Sequence, residues 1–134
     1  MKTALLPDTS IWIDFLQPRQ SYLRRRLAAG DVVQYTQPIL MELLAGARDG
    51  REWTLLRRFV TGAHLVPFES VADFEGAAWI HRTGSTMGIR SGYVDCLILA
   101  VAQRAGTTLV TSDVRQAQLG NALSITVKLV NRPV

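Results

Sequence analysis

Cysteine is the first scarcity of this chain: Cys96 is the only one, which excludes an internal disulfide and suits a reducing compartment. Histidine is nearly as rare. His64 and His81 stand far apart with only Cys96 for company, a spacing that argues against a zinc cluster or histidine-based catalysis. Lysine is also avoided, since of 15 basic residues only Lys2 and Lys128 are lysines. No apolar run approaches the roughly 18 residues that span a bilayer. The opening Met1-Lys-Thr-Ala-Leu-Leu6 imitates a signal peptide, but Pro7 and Asp8 end it too early. Linkers, repeats and low-complexity segments are missing as well. These absences lead us to expect a cytoplasmic protein without membrane contact, folded as a single domain over 1–134.

What is present fits a globule, with 48% hydrophobic residues and an ordinary charged fraction. The net charge of +4 is carried almost wholly by arginine, whose planar fork suits bidentate phosphate contacts. A positive surface raises the local concentration of RNA or DNA. Arginine-rich usage also arises in GC-rich genomes, and composition alone does not separate the two.

Short apolar runs alternate with helical patterns, which predicts an α/β fold with a parallel sheet covered by helices on both faces. Strands are expected at 3–7, 32–36, 65–68, 108–111 and 125–130. Thr9 or Ser10 opens a short helix carrying Ile11, Trp12, Phe15 and Leu16 and stopping at Pro18. Further helices are expected at about 20–29, 38–48, 51–60, 71–83, 93–105 and 114–120. The helix over 71–83 should bury Val71, Phe74, Ala78 and Ile80. The Gly/Ser-rich stretch 84–92 reads as a mobile loop.

Four carboxylates stand out against this pattern. Asp8 follows the first strand, Asp113 the fourth, Asp95 opens a greasy helix, and Glu42 lies inside Ile39-Leu-Met-Glu-Leu-Leu44. Asp8, Asp95 and Asp113 would each also serve as helix N-caps. Glu42 resists that reading, because acidic residues are rarely buried unless paired or metal-bound. Ligands of such sheets bind outside the carboxyl ends of the strands, where these residues can converge. Two carboxylates about 4 Å apart repel by roughly 4 kcal/mol at an effective dielectric near 20, so the group requires protons or a cation. All-oxygen ligands select Mg²⁺, with Mn²⁺ as a substitute, and such an ion can activate water against a phosphodiester.

The blocks Asp8-Thr-Ser-Ile-Trp12, Glu42, Val94-Asp-Cys-Leu-Ile-Leu-Ala100 and Leu109-Val-Thr-Ser-Asp113 resemble, in order and spacing, the PIN-domain ribonucleases, above all VapC-type toxins. The resemblance implies a PIN-like three-layer sandwich around a mostly parallel five-stranded sheet. It implies Mg²⁺-dependent endonucleolytic cleavage of RNA, with Asp8, Glu42, Asp95 and Asp113 as catalytic and metal-binding residues. Thr9, Ser10 and Thr111 match hydroxyls expected to orient the ligands. It further implies a homodimer inhibited by a VapB-like antitoxin, with DNA contacted only through that antitoxin. One position departs from the pattern: Arg115 stands where many relatives carry another acid. That puts a second metal ion in doubt and leaves Arg115 either gripping phosphate or facing solvent. The alternative to a toxin nuclease is a catalytically weak PIN-like module that binds RNA or a partner.

Among the remaining residues, Cys96 reads as small apolar filler, and Trp12, Trp53 and Trp79 as core or partner contacts. The arginines at 24–26, 48, 51, 57 and 58 read as a basic rim facing RNA, antitoxin or solvent.

Overall fold

The computed structural model describes residues 3–17 and 21–131. The apolar runs form five strands: β1 (Ala4–Pro7), β2 (Val32–Tyr35), β3 (His64–Leu65), β4 (Thr108–Thr111) and β5 (Val127–Leu129). Seven helices accompany them among the described residues. They are α1 (Thr9–Phe15), α2 (Tyr22–Ala28), α3 (Gln37–Ala45), α4 (Gly50–Thr61), α5 (Ser70–Thr86), α6 (Tyr93–Ala105) and α7 (Val114–Ala122). The stop expected at Pro18 and a helix start at Gln20 lie outside the described residues.

The sheet runs β3-β2-β1-β4-β5, and every neighbouring pair is parallel. Strand order moves away from β1 on one side and then on the other, and right-handed crossovers therefore place helices on both faces. The central strands are sealed on both sides, with Leu6, Leu109 and Val110 fully buried, which is why they read as unbroken apolar runs. From α6, Ile98, Leu99 and Val101 complete the core, and Gly106 closes that helix in the left-handed conformation (φ 65°). None of the helices is long and apolar enough to cross a membrane among the described residues.

The structure departs from expectation around α5. This helix continues to Thr86, through the stretch expected to be a mobile loop. Gly84 is buried, because a side chain there would meet the Ile89 carbonyl at 2.7 Å and a Leu119 methyl at 2.8 Å. Its carbonyl accepts the Ile89 N–H at 2.8 Å, so the chain doubles back on the helix end. The buried stripe of α5 is Asp73, Ala77, Ile80 and Gly84, while Val71, Phe74, Ala78 and Trp79 face outward. Small residues win this face because α5 lies close against α6: a Cβ on Gly76 would sit 3.3 Å from that of Ala100. Asp73 is admitted because it accepts two 2.8 Å hydrogen bonds from Arg104 of α6 and one from the Glu69 N–H.

Candidate metal centre

Between β1 and β4 the strand order reverses, and ligands of open α/β sheets bind at that break, beyond the carboxyl ends. Asp8 follows β1 there, its N–H donating to the Val110 carbonyl at 2.8 Å. Glu42 arrives from the middle of α3, whose first turn carries Pro38. Asp95 comes from the first turn of α6. One carboxylate oxygen from each of Asp8, Glu42 and Asp95 lies within 4.8 Å of the others.

Asp113 is placed differently. It is exposed at the N-terminus of α7, where its Oδ1 accepts the Arg115 N–H at 2.9 Å and the Gln116 N–H at 3.2 Å. Of the three aspartates that suit helix caps, it makes side-chain capping bonds, whereas Asp8 makes none. Its charge still reaches two of the other three, raising Asp8 and Asp95.

Hydroxyls hold the two aspartates of the trio. Thr111 Oγ1 donates to Asp8 Oδ2 at 3.3 Å and accepts the Asp113 N–H at 3.0 Å. Ser10 is engaged with Ser112, hydroxyl to hydroxyl at 2.7 Å, which ties the start of α1 to the end of β4. Ser91 donates to Asp95 Oδ2 at 3.3 Å. Thr9 is half-buried, and Arg115 is exposed with no side-chain partner among the described residues. Ser91 and Ser112 were not singled out from sequence. Their signal is only position, one four residues before Asp95 and the other adjoining Asp113.

Burial and mutual repulsion make this cluster costly to ionise. Desolvation, with help from Asp95, pushes the Asp8 carboxyl up to about 6 against the opposing Thr9 backbone N–H. Desolvation and the charges of Asp8 and Asp95 push Glu42 up to about 7. Desolvation and Asp113 raise Asp95, and the Ser91 hydroxyl opposes them. Asp8 Oδ1 and Glu42 Oε1 are buried with no hydrogen-bond partner. Acceptor oxygens without donors, set close together, suit a hard divalent cation. Cys96 follows Asp95 in sequence but is fully buried, and desolvation with the Asp95 charge pushes its thiol up to about 11, which makes it filler and no nucleophile.

A groove of about 860 Å³ opens beside the trio, bounded by α1, α2, α3 and α4 and reaching Thr9 and Glu42. Ile13, Leu55 and Phe59 supply its apolar lining, and Arg24, Arg48 and Arg51 its cationic rim. Arg24 is fixed there, its NH2 donating to the Phe15 carbonyl at 2.6 Å and its guanidinium 4.6 Å above the Phe15 ring. Arg48 pairs with Glu52 and Arg26 with Asp31. Arg25, Arg51, Arg57 and Arg58 are exposed without partners among the described residues.

The sequence matches the family model described as "PIN domain" over residues 5–122. It is 35% identical over 116 residues to "VapC ribonuclease Mb1587" of Mycobacterium bovis, covering 81% of this chain and 86% of that protein. The same figures hold for "Ribonuclease VapC11" of Mycobacterium tuberculosis. In fold it is similar to the structure of VapBC2 from Rickettsia felis bound to a DNA fragment from their promoter, with a TM-score of 0.79 and 17% identity over 96% of this chain and 100% of the other.

Proposed function

Since the chain belongs to the PIN-domain family, in its VapC ribonuclease branch, we propose that it is an endoribonuclease and the toxin of a toxin–antitoxin pair. In this reading Asp8, Glu42 and Asp95 hold a divalent cation, Mg²⁺ with Mn²⁺ as substitute, and Asp113 completes the acidic edge. The observation that carries it is the pair of buried, donorless oxygens, Asp8 Oδ1 and Glu42 Oε1, in a trio drawn within 4.8 Å. When bound, such an ion polarises the scissile phosphate and lowers the pKa of an attacking water.

The chain's own residues do the rest. Thr111 fixes the Asp8 carboxylate through Oδ2 and leaves Oδ1 open, while Ser91 does the same for Asp95. Without a cation the acidic edge repels phosphate, so RNA and metal bind cooperatively. The exposed arginines supply the attraction that brings RNA to that edge. Arg115, exposed at the start of α7 and without a side-chain partner among the described residues, takes a phosphate oxygen in this reading.

A VapB-like antitoxin is the partner this reading requires, and the groove supports it. An apolar segment seated on Ile13, Leu55 and Phe59 would reach Glu42 and block the centre. Homodimerisation belongs to the same reading and is supported by the outward Val71, Phe74 and Trp79 of α5. Folding of the chain as one domain is supported by a centre that draws on both halves of the sequence.

The test is cleavage of RNA by the purified protein in Mg²⁺ and in EDTA, beside an Asp95→Asn variant shown to be folded by circular dichroism. Loss of metal-borne stabilisation worth several kcal/mol lowers the rate by about 100-fold or more. Equal cleavage by wild type and Asp95→Asn, or undiminished cleavage in EDTA, removes the proposal.

A further inference from the structure

Among the described residues, the buried side-chain atoms left without a hydrogen-bond partner are Trp12 Nε1, the Gln116 amide, the two acidic oxygens Asp8 Oδ1 and Glu42 Oε1, and Thr36 Oγ1. Thr36 is fully buried and occupies the N-cap position of α3, the helix that carries Glu42. Threonine hydroxyls are favoured at that position because they accept an N–H of the first turn, yet this one makes no such bond. An unused hydroxyl in a dry interior is costly, so it calls for a partner absent from the protein itself.

Register says where that partner lies. β1 pairs with β4 through Pro7 and Val110, and one residue further the same register sets Asp8 beside Thr111. Those two side chains do meet, through the Thr111–Asp8 bond at 3.3 Å. On its other side β1 pairs with β2 through Leu5 and Val33. Three residues further, past the ends of both strands, that register sets Asp8 beside Thr36. Both residues keep extended backbone angles (φ −73°, ψ 171° and φ −137°, ψ 160°), so the strand geometry persists and both side chains project from the same face. Register thus sets Asp8 between two threonines. Thr111 donates to Oδ2, while Thr36 Oγ1 and Asp8 Oδ1 are both left without a partner.

From this we infer that Thr36 is a positioning residue of the metal centre. Its hydroxyl holds a water bound to the cation, beside Asp8 Oδ1, and so sets how tightly the cation is kept. The inference rests on the metal reading of Asp8, Glu42 and Asp95 and adds to it a residue outside the acidic set. A hydroxyl suits this place: it donates to carboxylate or accepts from water and carries no charge of its own. Partners of this kind around a metal site change its affinity by about 10- to 100-fold when removed.

The experiment compares the whole chain as wild type, Thr36→Val and Thr36→Ser, with Mn²⁺ as the probe. Titration calorimetry gives the dissociation constant, and melting in EDTA gives the stability without metal. Valine keeps the shape of threonine and deletes the unused hydroxyl. Thr36→Val should therefore melt in EDTA at or above the wild-type temperature while binding Mn²⁺ about 10-fold more weakly. Thr36→Ser should recover most of that affinity. Wild-type Mn²⁺ affinity in Thr36→Val overturns the role of Thr36 and leaves the metal centre standing. A drop in the EDTA melting temperature of Thr36→Val that Thr36→Ser repairs overturns it too, because it marks a helix cap. A wild-type protein that binds no Mn²⁺ removes the centre itself, and this role with it.

Discussion

At the scale of single residues, the raised carboxyls have a thermodynamic consequence that can be measured without substrate. In the folded chain Asp8 keeps its proton up to about 6 and Glu42 up to about 7, against ordinary values of 3.8 and 4.5. Across that window the folded state binds more protons than the unfolded state, so stability falls as pH rises. Asp95 shifts in the same direction. The melting temperature in EDTA should accordingly be lower at pH 8 than at pH 5, and saturating Mg²⁺ should cancel the difference. A pH-independent melting curve in EDTA contradicts the burial of these charges. The acidic residues were legible in the sequence because carboxylates in apolar surroundings demand a reason. Thr36, Ser91 and Ser112 were not, since hydroxyls are common and become informative only once register and burial show which are left open.

At the scale of elements, α5 teaches the most. Its sequence offers Val71, Phe74 and Ala78 at helical spacing, which reads as a core-facing stripe. Contact with α6 reverses the choice, because Gly76 and the buried Ala77 permit a closer approach than bulky side chains would, and Gly84 does the same against Ile89 and Leu119. Periodicity reports that a helix has two faces and is silent on which face meets a close neighbour. The pair between Asp73 and Arg104 locks the same junction. Burial raises the Asp73 carboxyl, and the Arg104 hydrogen bonds, the Glu69 N–H and the Arg104 charge together more than reverse it, leaving it below the ordinary range. Arg104→Ala strands that carboxylate with 1% of its side chain exposed, at a cost of about 3–5 kcal/mol. Thermal unfolding should move down by about 10 °C or more; a shift of a degree or two would mean that water reaches Asp73.

At the scale of the molecule, the strand count and the α/β class could be read from alternating apolar runs, and the structure adds the order β3-β2-β1-β4-β5. That order depends on pairings between segments up to about a hundred residues apart, which local pattern does not encode. The surface charge makes its own prediction. RNA affinity should fall with added salt, with a log–log slope near 0.7 per phosphate contacted on a single strand. Replacing Arg51 or Arg58 by alanine should flatten that slope if either meets phosphate, and an unchanged slope takes that arginine out of the RNA contact.

Asp8 and Glu42 belong to the early part of the chain, whereas Asp95 and the Thr111 that braces Asp8 come from the late part. A ribosome making this protein from its N-terminus therefore releases two carboxylates long before the third, and the strand that steadies Asp8 emerges later still. Under the proposed metal reading, the nascent polypeptide has no complete, braced centre until synthesis has passed β4, so cation binding should begin only when the chain is nearly finished.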